Sequence, residues 1–162
     1  MAGRRTVIGV MGGGSADATA TALAEELGRR IAEAGWTLLT GGRPAGVMEA
    51  ASRGAAAAGG LVVGVLPDSS PAAANPWVEL VIATGLNDAR NLINVLSSDV
   101  VVACPGGAGT LSEVALALKN DRPLVLLGFD PGPLAEAAAA RGRLLRADNP
   151  AAAIDCIRRL LA

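Results

Sequence analysis

The feature that most constrains the fold is an apolar segment that leads through glycines into a helix. Val100-Val-Val-Ala-Cys104 is followed directly by Pro105-Gly-Gly-Ala-Gly-Thr110, and Glu113 lies three residues beyond the threonine. A junction of this kind leaves the first backbone N–H groups of the helix without partners and directs the positive end of the helix dipole at the turn. It therefore predicts a site for an anion such as a phosphate group.

Short apolar segments alternate with helical ones along the whole chain. We predict strands at residues 6–11, 36–40, 61–66, 78–82, 99–104 and 123–127, and helices at 17–34, 46–58, 87–98, 110–119, 134–140 and 151–161. Strands that are apolar throughout are typical of a parallel sheet covered on both faces. With 162 residues, the chain is predicted to form a single α/β domain spanning residues 1–162, Rossmann-like and doubly wound, with a mostly parallel sheet.

Composition excludes several classes of function. The chain has no His, which excludes His-based catalysis and His-ligated metals, and no protein-ligated metal is expected. A net charge of −1 and only three aromatic residues, one Phe and two Trp, argue against nucleic acid as a partner. Cys104 and Cys156 are predicted to be buried thiols, which suits a reducing compartment. Since no apolar run of about 18 residues occurs, we expect no membrane association and a cytoplasmic location.

Four segments that follow strands are expected to meet at one edge of the sheet, where ligands bind in doubly wound folds. They are Gly12-Gly13-Gly14-Ser15, Gly41-Gly42-Arg43, Asn87 to Arg90, and the Pro105–Thr110 turn with Gly106, Gly107 and Gly109. The first does not complete a dinucleotide fingerprint, because Asp17 occupies the place of its third glycine. It is equally consistent with a tight turn that binds nothing. Arg43 can reach a phosphate or remain a solvated loop residue.

Two charged residues have competing interpretations. If Asn87 caps the helix at 87–98, Arg90 lies in its first turn, where the helix dipole disfavours a cation, and an anionic ligand or a pairing with Asp88 would explain it. The apolar face of that helix is predicted to comprise Ala89, Leu92, Ile93 and Leu96. Thr110-Leu-Ser-Glu113 fits a capping box, which gives Glu113 a structural role as well as a possible acidic one.

The residues also resemble a known family. Pro105-Gly-Gly-Ala-Gly-Thr-Leu-Ser-Glu113 is similar to the PGGxGTxxE signature of the LOG-like proteins, long called lysine decarboxylase-like. Gly9-Val-Met-Gly12, Leu39-Thr-Gly-Gly42, Gly46-Val-Met48 and Gly64-Val-Leu-Pro67 occur in the expected order. The resemblance covers about residues 6–128 and implies a nucleotide- or phosphate-binding fold.

Two branches of that family imply different functions. In LOG-type phosphoribohydrolases, which cleave the N-glycosidic bond of cytokinin or purine nucleoside 5′-monophosphates, the resemblance implies catalytic roles for Glu113 and Arg90. Those enzymes typically carry Lys directly after the Arg, whereas Asn91 follows Arg90 here.

The chain resembles the molybdenum cofactor carrier proteins more closely, through Gly35-Trp-Thr-Leu-Leu-Thr-Gly-Gly-Arg43, Thr84-Gly-Leu-Asn-Asp-Ala-Arg90 and Glu113-Val-Ala-Leu-Ala-Leu-Lys119. This resemblance implies a non-catalytic homo-oligomer, a dimer or a tetramer, that binds the phosphate-bearing pterin cofactor and passes it on, with molybdoenzymes as acceptors. The implied binding residues are those of the four segments: Gly12, Gly13, Gly14, Ser15, Gly41, Gly42, Arg43, Arg90, Gly106, Gly107, Gly109 and Thr110.

Overall fold

The chain alternates strands and helices from end to end. The computed structural model describes residues 3–139 and 143–162, with the side chains of 137–139 left out. Its strands are β1 Val7–Met11, β2 Thr37–Thr40, β3 Val62–Leu66, β4 Leu80–Ala83, β5 Val100–Ala103, β6 Leu124–Leu127 and β7 Leu144–Ala147. Its helices are α1 Ala18–Glu33, α2 Gly46–Ala57, α3 Arg90–Leu96, α4 Ala108–Lys119, α5 Pro133–Ala139 and α6 Pro150–Leu161.

The strands form one sheet in the order β4-β3-β2-β1-β5-β6-β7, and every pairing is parallel. The strand order reverses at β1, which pairs with β2 on one side and with β5 on the other. This is the doubly wound α/β arrangement that was predicted. The turns after β1, β2 and β5 therefore meet at one edge of the sheet, at the point where such folds bind ligands.

Apolar cores cover both faces of the sheet. One core packs α1, α2 and α6 against it, with Leu27, Val47 and Ile157 completely buried. The other packs α3, α4 and α5 on the opposite face, with Val95 and Val114 completely buried. Burial on both faces explains why the central strands are mostly apolar, with Thr37 and Thr40 of β2 as buried exceptions.

Small residues let α1 and α2 pack closely. A Cβ on Gly28 would collide with the backbone of Ala51, and a Cβ on Gly54 would collide with the backbone of Glu25. Small residues at these two positions are thus a packing requirement. The sequence also has alanine runs at 55–58 and 137–140, and part of the second lies outside the described residues.

Three sequence predictions need correction. The strand β7 was missed because Arg143 and Arg146 flank and interrupt its apolar residues. The predicted helix at 87–98 begins as a 3-10 turn at Asn87–Ala89 before α3. The predicted apolar face of this helix is largely exposed, since Leu92 and Leu96 are 39% and 43% exposed, whereas Asn91, Asn94 and Val95 are buried.

No helix in the described part of the chain is both long enough and apolar enough to cross a membrane. The two cysteines are buried free thiols, as predicted. The edge strand β4 leaves Leu80 and Ile82 exposed, which sets this side of the molecule apart from the buried central strands.

Candidate functional site

A cavity of about 390 Å³ lies at the carboxyl edge of the sheet, where the turns after β1, β2 and β5 meet. Among the predicted residues, its wall contains Gly12, Gly13, Gly14, Ser15, Gly41, Arg90, Gly107, Gly109, Thr110 and Glu113. The structure thus brings all four predicted segments to one place. Its size is that of a pocket for a small organic ligand.

The N-terminus of α4 opens into this cavity. The helix begins at Ala108, its N-cap is Gly107, and no side chain caps it. The first backbone N–H groups of the helix therefore face the cavity without an intrahelical acceptor, beside the positive end of the helix dipole. This geometry suits an anion, as the sequence predicted.

Glycines bring the neighbouring turns into contact with that helix end. A Cβ on Gly106 would collide with Thr110 Oγ1 and would lie 2.7 Å from the backbone nitrogen of Gly13. The Gly13 N–H donates to Pro105 O at 2.9 Å, and the Gly13 carbonyl accepts from the Val47 N–H at 3.0 Å. The first glycine turn is thereby fixed between the turn after β5 and the start of α2.

Arg90 contributes a partly desolvated cation. Its Nη1 donates to Val65 O at 3.2 Å, while its buried Nε has no hydrogen-bond partner among the described residues. Burial lowers the pKa of Arg90 from its usual value, and the Glu113 carboxylate acts against that shift. An arginine remains protonated under such a shift, so the cavity contains a fixed positive charge.

The start of α3 differs in detail from the sequence interpretation. Asn87 has a positive φ of 50° and makes no side-chain cap, so it is not the N-cap that the sequence suggested. Arg90 nevertheless stands at the first position of α3. Asp88 also lines the cavity and favours the charged form of Arg90 electrostatically.

Glu113 is a buried acid in the cavity wall. It is only 6% exposed, and its Oε1 accepts a hydrogen bond from Asn94 Nδ2 at 3.0 Å. Burial raises the pKa of Glu113 to about 7, although Asn94 and Arg90 both favour the carboxylate. The capping-box interpretation is wrong, because α4 begins two residues earlier than predicted and Glu113 falls in its second turn.

Three predicted site residues do not line the cavity. Gly106 packs behind Thr110, and Gly42 packs against Gly64. The Arg43 side chain is about half exposed, and its Nε lies 3.8 Å from Asp68 Oδ2. Arg43 does not line the cavity, but its positive charge adds to the lowering of the pKa of Arg90.

Five further lining residues were not named as binding residues from the sequence, although Asp88 lies within the predicted segment from Asn87 to Arg90. They are Val10, Met11, Met48, Asp88 and Asn91. The available signal was their place in or beside the quoted motifs: Val10 and Met11 belong to Gly9-Val-Met-Gly12, Met48 belongs to Gly46-Val-Met48, and Asn91 follows Arg90. Val10, Met11 and Met48 add thioether and apolar surface, whereas Asp88 and Asn91 add polar groups. No group of three or more acidic, Cys or His side chains able to hold a metal occurs among the described residues.

Comparison with known proteins identifies the family. A model of the SLOG cluster4 family matches residues 5–154. The chain therefore belongs to this family, within the LOG-like superfamily that its PGGxGTxxE signature indicated.

The whole chain is similar to proteins that bind the molybdenum cofactor. It is 48% identical to the molybdenum cofactor binding protein of Rippkaea orientalis, with a TM-score of 0.92, and the match covers 98% of this chain and 99% of that one. It is 43% identical to the molybdenum cofactor carrier protein of Chlamydomonas reinhardtii, with a TM-score of 0.88 and the same coverage. In structure the chain is thus near the molybdenum cofactor carriers.

A part of the chain is also similar to the phosphoribohydrolases. It is 33% identical to the cytokinin riboside 5′-monophosphate phosphoribohydrolase of Mycobacterium tuberculosis over 114 residues. That match covers 65% of this chain and 60% of the enzyme.

Proposed function

We propose that this protein binds and carries a small phosphate-bearing ligand, and that the ligand is the molybdenum cofactor. The observation that carries the proposal is the uncapped start of α4 opening into the same cavity as Arg90. Full-length similarity to two molybdenum-cofactor-binding proteins supports this choice of ligand over a nucleotide.

The cavity has separate groups for the two parts of such a ligand. Backbone N–H groups at Gly109 and Thr110 receive the phosphate, and Arg90 supplies the balancing charge. The apolar part of the wall, with Val10, Met11 and Met48, contacts the ring system of the pterin. In this function the protein holds its ligand and transfers it to an acceptor, such as a molybdoenzyme, without reacting with it.

The test is to express the protein in a host that makes the cofactor and to measure the bound molybdenum and the fluorescence of the oxidised pterin. The expected result is a saturable, stoichiometric amount of both. Arg90→Gln removes the cation and is expected to lower the affinity about tenfold or more, since a charge-assisted contact is worth about 1.5–3 kcal/mol. Arg158→Gln, at an exposed position of α6, is the matched control. A wild-type protein that never binds the cofactor would contradict the proposal.

A second function is favoured by one observation, the buried acid Glu113 with its pKa near 7 beside Arg90. A carboxyl group in that state suits proton transfer or the stabilisation of positive charge on a ribose during N-glycosidic cleavage. Incubation with AMP and with a cytokinin nucleotide distinguishes the two functions. The hydrolase releases ribose 5-phosphate, and Glu113→Gln abolishes the release, whereas the carrier shows no turnover.

We further propose that the protein forms a homo-oligomer through its exposed apolar face. This face comprises Leu80 and Ile82 on β4, Leu86, and Leu92 and Leu96 on α3, which are all 39–52% exposed. Several exposed large apolar side chains of this kind are typical of a protein interface.

The buried free thiols of Cys104 and Cys156 agree with a reducing compartment such as the cytoplasm.

A further inference from the structure

The irregular segment at residues 68–77, between β3 and β4, has one buried side chain. All ten of these residues are described, and only Asn75 is buried, at 2% exposure. The rest of the segment comprises a 3-10 turn at Pro71–Ala73 and exposed or half-buried residues. A polar side chain is buried here because it makes hydrogen bonds that the exposed residues do not make.

Asn75 bonds to the turn that follows β2. Its backbone N–H donates to Gly42 O at 2.8 Å, and its Nδ2 lies 3.2 Å from Gly42 O and 3.4 Å from Arg43 O. Its Oδ1 accepts from the Trp77 N–H at 3.1 Å, which fixes the orientation of the amide. Asn75 thus binds two consecutive carbonyl groups of the turn that contains Gly41.

A second branch of the same network reaches α2. Asn75 Nδ2 also donates to Ser52 Oγ at 3.2 Å, and Ser52 Oγ donates its own proton to Met48 O at 2.7 Å. Met48 lies in the first turn of α2 and lines the cavity. One amide therefore connects the irregular segment, the turn after β2 and the cavity side of α2.

The two branches lead to Gly41, next to Gly42, and to Met48, which both lie beside the Arg90 guanidinium. A Cβ on Gly41 would collide with Arg90 Nη1 and would lie 2.7 Å from Met48 Sδ, so these two side chains converge above Gly41. Because Nη1 bonds to Val65 O and Nε has no hydrogen-bond partner in the part of the chain that the structure describes, the position of the guanidinium depends on packing against Gly41 and Met48.

We propose that Asn75 is a positioning residue for the anion site. By holding Gly42 and Arg43, and Met48 through Ser52, it keeps Gly41 and Met48 packed against Arg90 and so orients the guanidinium towards the cavity. The segment at 68–77 then acts as a fixed support behind the turn after β2 and not as a lid, since none of its residues lines the cavity. The effect of Asn75 on affinity rests on the proposed anion binding, whereas its effect on Arg90 does not.

The experiment compares Asn75→Ala, Ser52→Ala and Asn149→Ala with the wild type. Asn149 is the matched control, because it caps α6 through a bond from the Ala152 N–H at 2.9 Å, on a helix whose residues do not line the cavity. The first readout is the solvent exchange of the Arg90 Nε–H by NMR in the ligand-free protein. The second is the affinity for inorganic pyrophosphate by calorimetry.

Asn75→Ala is expected to speed the Arg90 Nε–H exchange measurably and to weaken pyrophosphate binding by about tenfold, the size of loss expected when one supporting hydrogen bond is removed. In an Arg90→Gln background it is expected to weaken binding no further. Ser52→Ala should change both quantities less but in the same direction, and Asn149→Ala should change neither.

Unchanged Arg90 exchange in Asn75→Ala overturns the positioning role. If that variant does not fold, Ser52→Ala decides the question by the same criterion. A wild-type protein that does not bind pyrophosphate would contradict the anion site, and the NMR readout would still decide the role of Asn75.

Discussion

Glu113 illustrates how the surroundings of one side chain determine its chemistry. The local sequence Thr110-Leu-Ser-Glu113 is indistinguishable from a capping box, and only the position at which α4 begins decides otherwise. Because Gly107 is the N-cap, the glutamate turns into the interior and meets Asn94 instead of the backbone. The sequence could predict that Glu113 belongs to the site. It could not predict the burial or the raised pKa of Glu113, because both depend on how α3 packs beside it.

This burial makes the stability of the protein depend on pH. The folded pKa of about 7 is above the ordinary value of 4.5, so the folded state binds more protons than the unfolded state between these values. The contribution of Glu113 to the free energy of unfolding is therefore greatest below about pH 4.5, falls as the pH rises to 7, and stays lower above pH 7. The raised pKa of Glu113 corresponds to about 3 kcal/mol in that free energy.

We expect Glu113→Gln, which cannot ionise, to be stabilised relative to the wild type at pH 8 and to lose that advantage at pH 5. Urea denaturation at both values measures the difference, which is expected to be about 1–3 kcal/mol. Glu79→Gln, at an exposed position before β4, is the control and should show no such difference. Equal effects of Glu113→Gln at the two pH values would contradict a raised pKa.

At the scale of elements, the sequence was most informative where a segment is buried on all sides. β1, β2, β3, β5 and β6 are almost entirely buried and mostly apolar, and each was found within two residues of its predicted bounds. β7 was missed because an edge strand tolerates arginines such as Arg146. The buried face of α3 was assigned incorrectly because Asn91 and Asn94 find hydrogen-bond partners on α4, while Leu92 and Leu96 face outward.

The contact between α1 and α2 gives a prediction that opposes helix propensity. Gly28→Ala adds a better helix former, worth up to about 1 kcal/mol, but its Cβ would collide with the Ala51 backbone. We expect a net loss of about 1–3 kcal/mol in the free energy of unfolding, as is usual for overpacking. The control is Gly109→Ala in α4, where nothing lies within 4 Å of the added Cβ, and which should not destabilise. Thermal unfolding of both variants is the measurement.

At the scale of the whole molecule, the exposed apolar face predicts how copies associate. Leu92 and Leu96 lie one turn apart on α3, and Leu80 and Ile82 are exposed on the edge strand β4. We expect the double substitution Leu92→Glu, Leu96→Glu to reduce the molar mass in solution to that of the monomer, because charged groups cannot be buried in an apolar interface without partners. Light scattering after size-exclusion chromatography measures this mass.

The matched control is Leu161→Glu, which changes a leucine of similar exposure on α6. This variant should keep the oligomer. A wild-type protein that is monomeric at micromolar concentrations, or a double variant with unchanged mass, would contradict the proposed interface.

The position of β1 at the reversal of strand order also has a consequence for synthesis on the ribosome. β1 is synthesised before the other strands of the sheet. One of the two strands that pair with it, β5, begins about ninety residues later at Val100. At elongation rates of about 5–20 residues per second, one edge of β1 stays unpaired for several seconds while β2 and β3 are already available. We therefore expect the nascent chain to hold an incomplete half-sheet until β5 emerges, and this is the interval in which chaperones would bind it. The anion cavity, which needs the turns after both β1 and β5, forms only when this interval ends.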